Sequence, residues 1–212
     1  MATVREGNKG VLVVVDVQVG VVREAWDAPR VITNVARTVE RARDQGVPVI
    51  WVQHASDDLA HGSPQWQWVP ELVPAETETL IHKKFNSSFE QTKLEDELAR
   101  LGATHITLAG AMTNWCIRAT AYAALERGYD LTLVKDAHTT ANIDLGNGKM
   151  IEAANIVADL NVAMTWLRYP GRVNGTATSD AVDFATPGRD ALAAGGSAYA
   201  PTKQTTPSKT LR

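Results

Sequence analysis

The sequence predicts an α/β domain of three layers (α/β/α), with helices on both sides of a mostly parallel central sheet of five to six strands. The segment 11–17, VLVVVDV, is β-branched and apolar on both faces, a pattern typical of a central strand that is covered on both sides. Apolar runs then alternate with helical periodicities along the chain. This order favours parallel strands joined by right-handed crossovers.

The remaining elements follow from local patterns. Apolar residues at helical spacing precede Gly46, where a helix is expected to end, and a capping-box pattern at 92–95 starts another helix. The segment 56–78 is rich in Pro, Trp and polar residues and is predicted to be a long loop, and such loops are often functional. Further strands are predicted at 47–52, 105–109, 131–134 and 162–167, and helices at 31–42, 92–101, 115–127 and 150–160.

A single domain is expected over residues 1–170, where predicted strands and helices alternate regularly. Residues 171–212 are predicted to form a C-terminal extension that is partly irregular or draped on a partner subunit. The reasons are that the pattern fades after Pro170 and that residues 195–212 are rich in Gly, Ser, Thr and Pro.

Composition excludes several classes of function. Hydrophobic residues make up 44% and charged residues 21% of the 212 positions, the mix of a globular protein, and no stretch approaches the ~20 apolar residues that span a bilayer. The formal net charge of -3 argues against nucleic acid or an acidic membrane surface as a partner. Residues 1–10 lack the apolar stretch of a signal peptide, and a single cysteine fits a reducing compartment, so a cytoplasmic location is expected.

In doubly wound sheets, ligands bind outside the carboxyl ends of the strands. Three polar residues of this sequence are expected near such strand ends. Asp16 lies near the end of the first strand, Cys116 follows the strand at 105–109, and Lys83 precedes the helix at 92–101. A carboxylate within so apolar a strand is costly unless it has a partner. Asp16 is therefore a candidate functional residue.

Cys116, the single cysteine, begins a predicted helix directly after a strand. Unpaired N–H groups and the positive end of the helix dipole favour the thiolate, which is the nucleophilic form, and the same N–H groups could bind an oxyanion. Each candidate also has an ordinary structural interpretation. A lone cysteine is usually a core residue, Asp16 could cap a loop, and Lys83 could be a solvated surface charge.

Four short segments occur in a specific order between residues 9 and 168. They are Asp16-Val-Gln18, KKFNSSF at 83–89 with Thr92 and Leu94, GAMTNWC at 110–116 with Thr120 and Ala121, and Gly128-Tyr with VKDA at 134–137. Together these segments resemble the isochorismatase-like cysteine hydrolases. That family includes nicotinamidases, N-carbamoylsarcosine amidohydrolases, ureidoacrylate hydrolases and streptothricin hydrolases, and its fold is Rossmann-like.

The resemblance implies a catalytic triad of Asp16, Lys83 and Cys116, with Lys84 as an adjacent alternative to Lys83. It also implies a cis peptide bond just before Met112 and an oxyanion hole formed by the backbone N–H groups of Met112 and Cys116. The implied activity is that of an amidohydrolase. It would hydrolyse a non-peptide C–N bond in a small amide, lactam, carbamoyl or ureide substrate through a thioester, without a cofactor.

Residues that contact the substrate are defined only as candidates, because aromatic rings offer flat walls and polar side chains offer hydrogen bonds. Core packing and buried, hydrogen-bonded histidines are equally ordinary roles for them. The candidates are Gln18, His54, Trp66, Phe85, Trp115 and His138. No metal site is expected, because the stretch 52–54 lacks the Asp-x-His pattern of the metal-binding nicotinamidases. Nicotinamide is accordingly a less favoured substrate.

Three other functions are left open. A vinyl-ether hydrolase of the isochorismatase type would need an acid rather than a nucleophile, and a thiol redox enzyme would need an external thiol. A non-catalytic binding protein would have no use for all three polar residues. Nucleotide binding is disfavoured because neither G-x-G-x-x-G nor G-x-x-x-x-G-K-[ST] occurs. The resemblance also implies a homodimer or homotetramer.

Overall fold

The fold is built on one sheet of six parallel strands, seen in a computed structural model that describes residues 7–184. These residues contain eight strands, six of them in that sheet: β1 (Lys9–Val15), β2 (Val49–His54), β3 (Thr79–Lys83), β4 (Ala103–Ala111), β5 (Asp130–Thr139), β6 (Ile143–Gly146), β7 (Lys149–Ile151) and β8 (Asn174–Ala177). The helices are α1 (Val19–Val22), α2 (Ala28–Asp44), α3 (Leu94–Leu101), α4 (Arg118–Glu126) and α5 (Ala153–Trp166), and a π-helical turn spans Thr113–Ile117.

The strand order in the sheet is β3-β2-β1-β4-β5-β8, and every pair is parallel. The strands β6 and β7 form a separate antiparallel hairpin. The predicted three-layer α/β/α architecture with a mostly parallel sheet is therefore confirmed, and the six strands fall within the predicted number.

Alternate residues of β1 pack into two different layers, which explains why the strand is apolar throughout. Val11, Val13 and Val15 join a core that includes residues of α3, α4 and α5, whereas Leu12 and Val14 join a core that includes residues of α2. All five side chains are fully buried. The prediction of a central strand covered on both sides is confirmed.

The predicted strand at 162–167 is wrong, because these residues belong mostly to α5. Leu160 and Met164 are buried four residues apart, whereas Val162 and Trp166 are exposed on the opposite side, as expected for an amphipathic helix. The predicted helix at 150–160 is present as the first part of α5, but it begins later than expected, because Met150 and Ile151 belong to the hairpin strand β7.

The sheet has two strands that the sequence analysis did not predict, β3 and β8. The strand β8 pairs with β5, and Val182 and Phe184 beyond it are buried in the core shared with α2. Residues 174–184 thus complete this domain, although the sequence analysis assigned them to an extension. The rest of that predicted extension, 185–212, lies outside the described residues.

Across the described part of the chain, we find no helix with the length and apolar character needed to cross a membrane.

Candidate active site

Three side chains meet at the carboxyl edge of the sheet. Asp16 follows β1 directly, Lys83 is the last residue of β3, and Cys116 lies in the π-helical turn after β4. The Nζ atom of Lys83 lies 2.6 Å from Oδ2 of Asp16 and 3.1 Å from Sγ of Cys116. Asp16 and Cys116 also lie close enough for the charge of Asp16 to act on the thiol. The structure therefore brings these three predicted residues into one contiguous cluster.

Lys83 is buried, which is unusual for a lysine unless its charge is paired. Besides Asp16 and Cys116, its ammonium group donates to the carbonyl oxygen of Phe85 at 3.1 Å and lies 3.4 Å from Nδ1 of His54. The neighbouring Lys84 lies just after the end of β3 and is exposed to solvent. Of the two lysines, only Lys83 is placed to act on the thiol.

The backbone turns sharply where β1 ends. Asp16 adopts a left-handed conformation with φ of 53°, and its N–H donates to the carbonyl oxygen of Val52 at 2.8 Å. Beside it, Gly110 near the end of β4 has φ of 127°, and a Cβ at that position would lie 2.0 Å from the carbonyl oxygen of Val15. Only glycine permits β4 to approach the end of β1 so closely.

The turn that carries Cys116 begins after a cis peptide bond between Ala111 and Met112, which confirms that expectation. The carbonyl oxygen of Met112 accepts hydrogen bonds from the N–H groups of Trp115, at 3.0 Å, and of Ile117, at 3.1 Å. Cys116 was expected in the first turn of an α-helix. It lies instead in a single π-helical turn that leads into α4.

The environment of Cys116 favours the neutral thiol. Burial raises the pKa of the thiol to about 12, the charge of Asp16 acts in the same direction, and the charge of Lys83 opposes both. The sequence expectation of a lowered thiol pKa was wrong, because desolvation outweighs the favourable end of a helix. A proton must therefore leave Cys116 when it attacks.

Asp16 is the acceptor within reach of that proton. Burial raises the pKa of its carboxyl group, whereas the charge and hydrogen bond of Lys83 lower it. A carboxyl group with a raised pKa is a stronger base than an ordinary aspartate once it is ionised. Burial also lowers the pKa of His54, and the nearby Lys83 adds to this, so His54 is held as the neutral imidazole.

Half of the candidate substrate contacts are used by the protein itself. The Gln18 amide is buried and donates to the carbonyl oxygens of His54 and Trp66 while its Oε1 accepts from the N–H of His54. Trp66 is buried against the rings of two histidines, His61 and His82. His138 is buried on β5, where its ring nitrogens contact the side chains of Thr113 and Asn161. These contacts give the three residues structural roles.

The other candidates lie at the surface near the thiol. Trp115 is 53% exposed and Phe85 is 46% exposed, and His54 is half-buried. Trp115 lines a cavity of about 280 Å³, which offers a flat aromatic wall to a small molecule. The other lining residues are Asn86, Asn114, Arg118, Ala119 and Tyr122. Since Oδ1 of Asn86 lies 4.0 Å from Sγ of Cys116, the cavity adjoins the thiol.

Comparison with known proteins places this site in a family. The isochorismatase domain matches residues 10–165, which is most of the chain and includes every member of the cluster. The chain belongs to the isochorismatase family. The streptothricin hydrolase of Streptomyces noursei is 33% identical over 145 residues, which cover 65% of this chain and 57% of that protein. The chain therefore spans a little over half the length of that relative.

Other relatives in the isochorismatase family extend the comparison. The uncharacterized family protein YrdC of Bacillus subtilis is 30% identical over 156 residues, covering 70% of this chain and 83% of that protein. The maleamate amidohydrolase of Pseudomonas putida is 29% identical over 131 residues, covering 60% of each chain. A crystal structure of an isochorismatase from Pseudomonas putida KT2440 superposes with a TM-score of 0.71 at 26% identity, covering 84% of this chain and 92% of that one.

The predicted membership of the isochorismatase family is confirmed, and two of the relatives named above are hydrolases by name. Among the residues that line the cavity, Trp115 was a candidate substrate contact from the sequence, whereas Asn86 and Tyr122 were not. Asn86 lies within the segment 83–89 that carried the resemblance, but nothing in its type distinguishes it from a surface loop residue. Within residues 7–184, we find no group of three or more His, Cys, Asp and Glu side chains arranged to hold a metal ion.

Proposed function

We propose that the chain is a cysteine-dependent amidohydrolase that cleaves a non-peptide C–N bond of an amide, lactam, carbamoyl or ureide compound through a thioester on Cys116. The observation that carries the proposal is the contact of one buried ammonium group, that of Lys83, with both Asp16 and the thiol. The names of two family relatives, streptothricin hydrolase and maleamate amidohydrolase, are consistent with this class of reaction.

The first step is the attack of Cys116 on the substrate carbonyl carbon. Asp16, whose carboxyl group lies beside the thiol in this cluster, takes its proton as the S–C bond forms. The carbonyl oxygen becomes an oxyanion, and the backbone N–H groups of Met112 and Cys116 are the proposed donors to it. Lys83 keeps a positive charge beside both reacting groups, which stabilises the negative charge as it moves from the carboxylate to the sulfur.

The second half of the reaction restores the thiol. The protonated Asp16 donates its proton to the leaving nitrogen as the C–N bond breaks, which releases ammonia or an amine and leaves a thioester. Asp16, again a carboxylate, then takes a proton from water as the water oxygen attacks the thioester carbonyl. The C–S bond breaks, the proton returns to sulfur, and the acid product leaves.

The proposal is tested by measuring ammonia or amine release from a panel of small amides, carbamoyl compounds, ureides and lactams. The wild-type chain is compared with Cys116→Ala and Cys116→Ser, and intact-mass measurement detects the acyl adduct. Release that depends on Cys116, together with a trapped adduct, supports the proposal. Full turnover in either variant would contradict it.

Hydrolysis of a vinyl ether is a second candidate, since isochorismatase is the name of the matching domain. Consumption of isochorismate by both the wild type and Cys116→Ala, with no reaction of any amide, would favour it.

The expected homodimer or homotetramer stays a prediction, and sedimentation of the purified chain would test it.

A further inference from the structure

We propose that His138 is a positioning residue that holds the turn carrying Met112 and Cys116 in place through the hydroxyl group of Thr113. The proposal rests on the proposed function, because it assigns a support to the same turn. The side-chain contacts of His138 are with Thr113 and Asn161, so we infer that it acts through the residues between it and the thiol.

His138 connects three elements of the fold. Its Nδ1 atom lies 2.9 Å from Oγ1 of Thr113, the first residue of the π-helical turn. Its Nε2 atom lies 3.0 Å from Oδ1 of Asn161 on α5. On β5, His138 pairs with Gly110 of β4. Gly110 lies two residues before Met112, which directly precedes the turn. The imidazole therefore joins the turn to both the sheet and the helix layer.

The donor and the acceptor can be assigned for each hydrogen bond that His138 makes. The Asn161 amide nitrogen donates to the carbonyl oxygen of Lys135 at 3.0 Å, which leaves Oδ1 facing the imidazole as an acceptor. Nε2 of His138 must then carry the hydrogen. In the neutral ring Nδ1 is an acceptor, so the hydroxyl of Thr113 donates to it.

The imidazole ring of His138 is neutral at near-neutral pH. Burial lowers the pKa of His138 to about 4, while the hydrogen bond to Asn161 and the charge of Asp136 oppose that shift. His138 and Thr113 are both essentially inaccessible to solvent. Water therefore cannot replace the imidazole as the acceptor for the Thr113 hydroxyl.

A second contact holds the same turn from the same strand end. The hydroxyl of Thr140, directly after β5, donates to Oδ1 of Asn114, the residue that follows Thr113. Two successive residues of the turn are thus tied to the end of β5. Loss of the Thr113 contact would leave the turn attached but free to shift, and a shift of about 1 Å in a catalytic donor is costly to the reaction.

The single cysteine of the chain allows a test that separates position from folding. Acylation of Cys116 by p-nitrophenyl acetate passes through an oxyanion, whereas alkylation by iodoacetamide does not. Both adducts are followed by intact mass at one pH, with Cys116→Ala giving the background. The ratio of the two rates then reports on the oxyanion donors alone.

Thr113→Val removes the hydroxyl at nearly constant shape, and Thr113→Ser keeps it. We expect Thr113→Val to slow acylation on the order of tenfold or more while alkylation changes less than about threefold, and Thr113→Ser to restore the ratio. Asn161→Ala removes the hydrogen bond between Asn161 and His138 at a partly exposed site. This variant keeps the test available if Thr113→Val does not fold. It should lower the ratio in the same direction.

An unchanged ratio in Thr113→Val or in Asn161→Ala overturns the positioning role, and so does an equal fall of both rates. Failure of the wild type to form any acyl adduct on Cys116 is a different result. It would overturn the proposed function itself, and the positioning role with it.

Discussion

The Nζ atom of Lys83 lies 3.1 Å from Sγ of Cys116, deep enough that the lysine side chain has no contact with solvent. A cation this close to a thiol lowers the cost of forming the thiolate, and it does so without water to screen it. The same cation is paired with Asp16, so both members of the proton exchange depend on one side chain.

Lys83→Met is expected to lower hydrolysis by at least about a hundredfold, because both the base and the developing thiolate lose their counter-charge. Lys84→Met is the matched control. Lys84 is exposed one residue away, so its loss should change the rate by less than about twofold. Initial rates of product release from one substrate, or of Cys116 acylation, provide the measurement. Equal losses in the two variants would remove Lys83 from the mechanism.

Asp16→Asn is expected to change thiol ionisation and turnover in opposite directions. The charge of Asp16 raises the pKa of the Cys116 thiol, so the variant should ionise at lower pH than the wild type. Turnover should nevertheless fall by about 10²–10⁴-fold, because the base is lost. Ultraviolet absorbance of the thiolate, corrected with Cys116→Ser, measures the first effect. A variant that retains turnover would exclude Asp16 as the base.

Gly110→Ala is expected to prevent folding or to lower the free energy of unfolding by more than about 4 kcal/mol, because the new Cβ would overlap the backbone of Val15. Gly46→Ala is the control. Gly46 also has a positive φ, of 66°, but no atom lies within 4 Å of the added Cβ, so only about 1–2 kcal/mol should be lost. Urea denaturation compares the two. Similar losses would show that conformation, rather than the close approach, restricts position 110.

Acid is expected to destabilise the fold through two buried histidines. Burial lowers the pKa of both His105 and His138 from 6.5 to about 4. Between these values the unfolded chain binds more protons than the folded chain, so stability falls as the pH is lowered. Moving from pH 7.5 to pH 5 should cost about 2 kcal/mol per histidine in the free energy of unfolding.

His105→Gln isolates one of these contributions, since His105 contacts Thr132 and lies apart from the site. The difference in the free energy of unfolding between the two pH values should shrink by about 2 kcal/mol in this variant. Denaturant unfolding at both pH values gives this difference directly. An undiminished pH dependence would show that carboxyl groups, which titrate in the same direction, account for the effect.

The strands that the sequence predicted best are those buried on both faces. β1 is an unbroken apolar run, so its type and position were evident, whereas β3 is an edge strand with one buried apolar residue, Ile81. β8, with the sequence NGTA, has no apolar run at all. Its place in the sheet depends on pairing with β5, which is a tertiary effect that local patterns do not encode.

The cluster was predictable because its residues lie at strand ends, but the environment of each side chain was not. The sequence shows that Cys116 follows a strand, yet it does not show how completely the thiol is buried, and burial decides its pKa. In the same way, Gln18 and His138 have the polar groups of a binding residue. Only the fold reveals that the amide of Gln18 joins the end of β2, at His54, to the loop that follows it, at Trp66.

The central place of β1 has a consequence for synthesis. The chain emerges from the ribosome in order, so β1 can pair with β2, and β2 with β3, while the other edge of β1 must wait for β4, which begins at Ala103. During that interval the nascent protein presents a straight, valine-rich edge of unpaired N–H and C=O groups, the kind that joins with other chains. We therefore expect the nascent chain to be most prone to pairing with other chains while residues 84–111 are being translated.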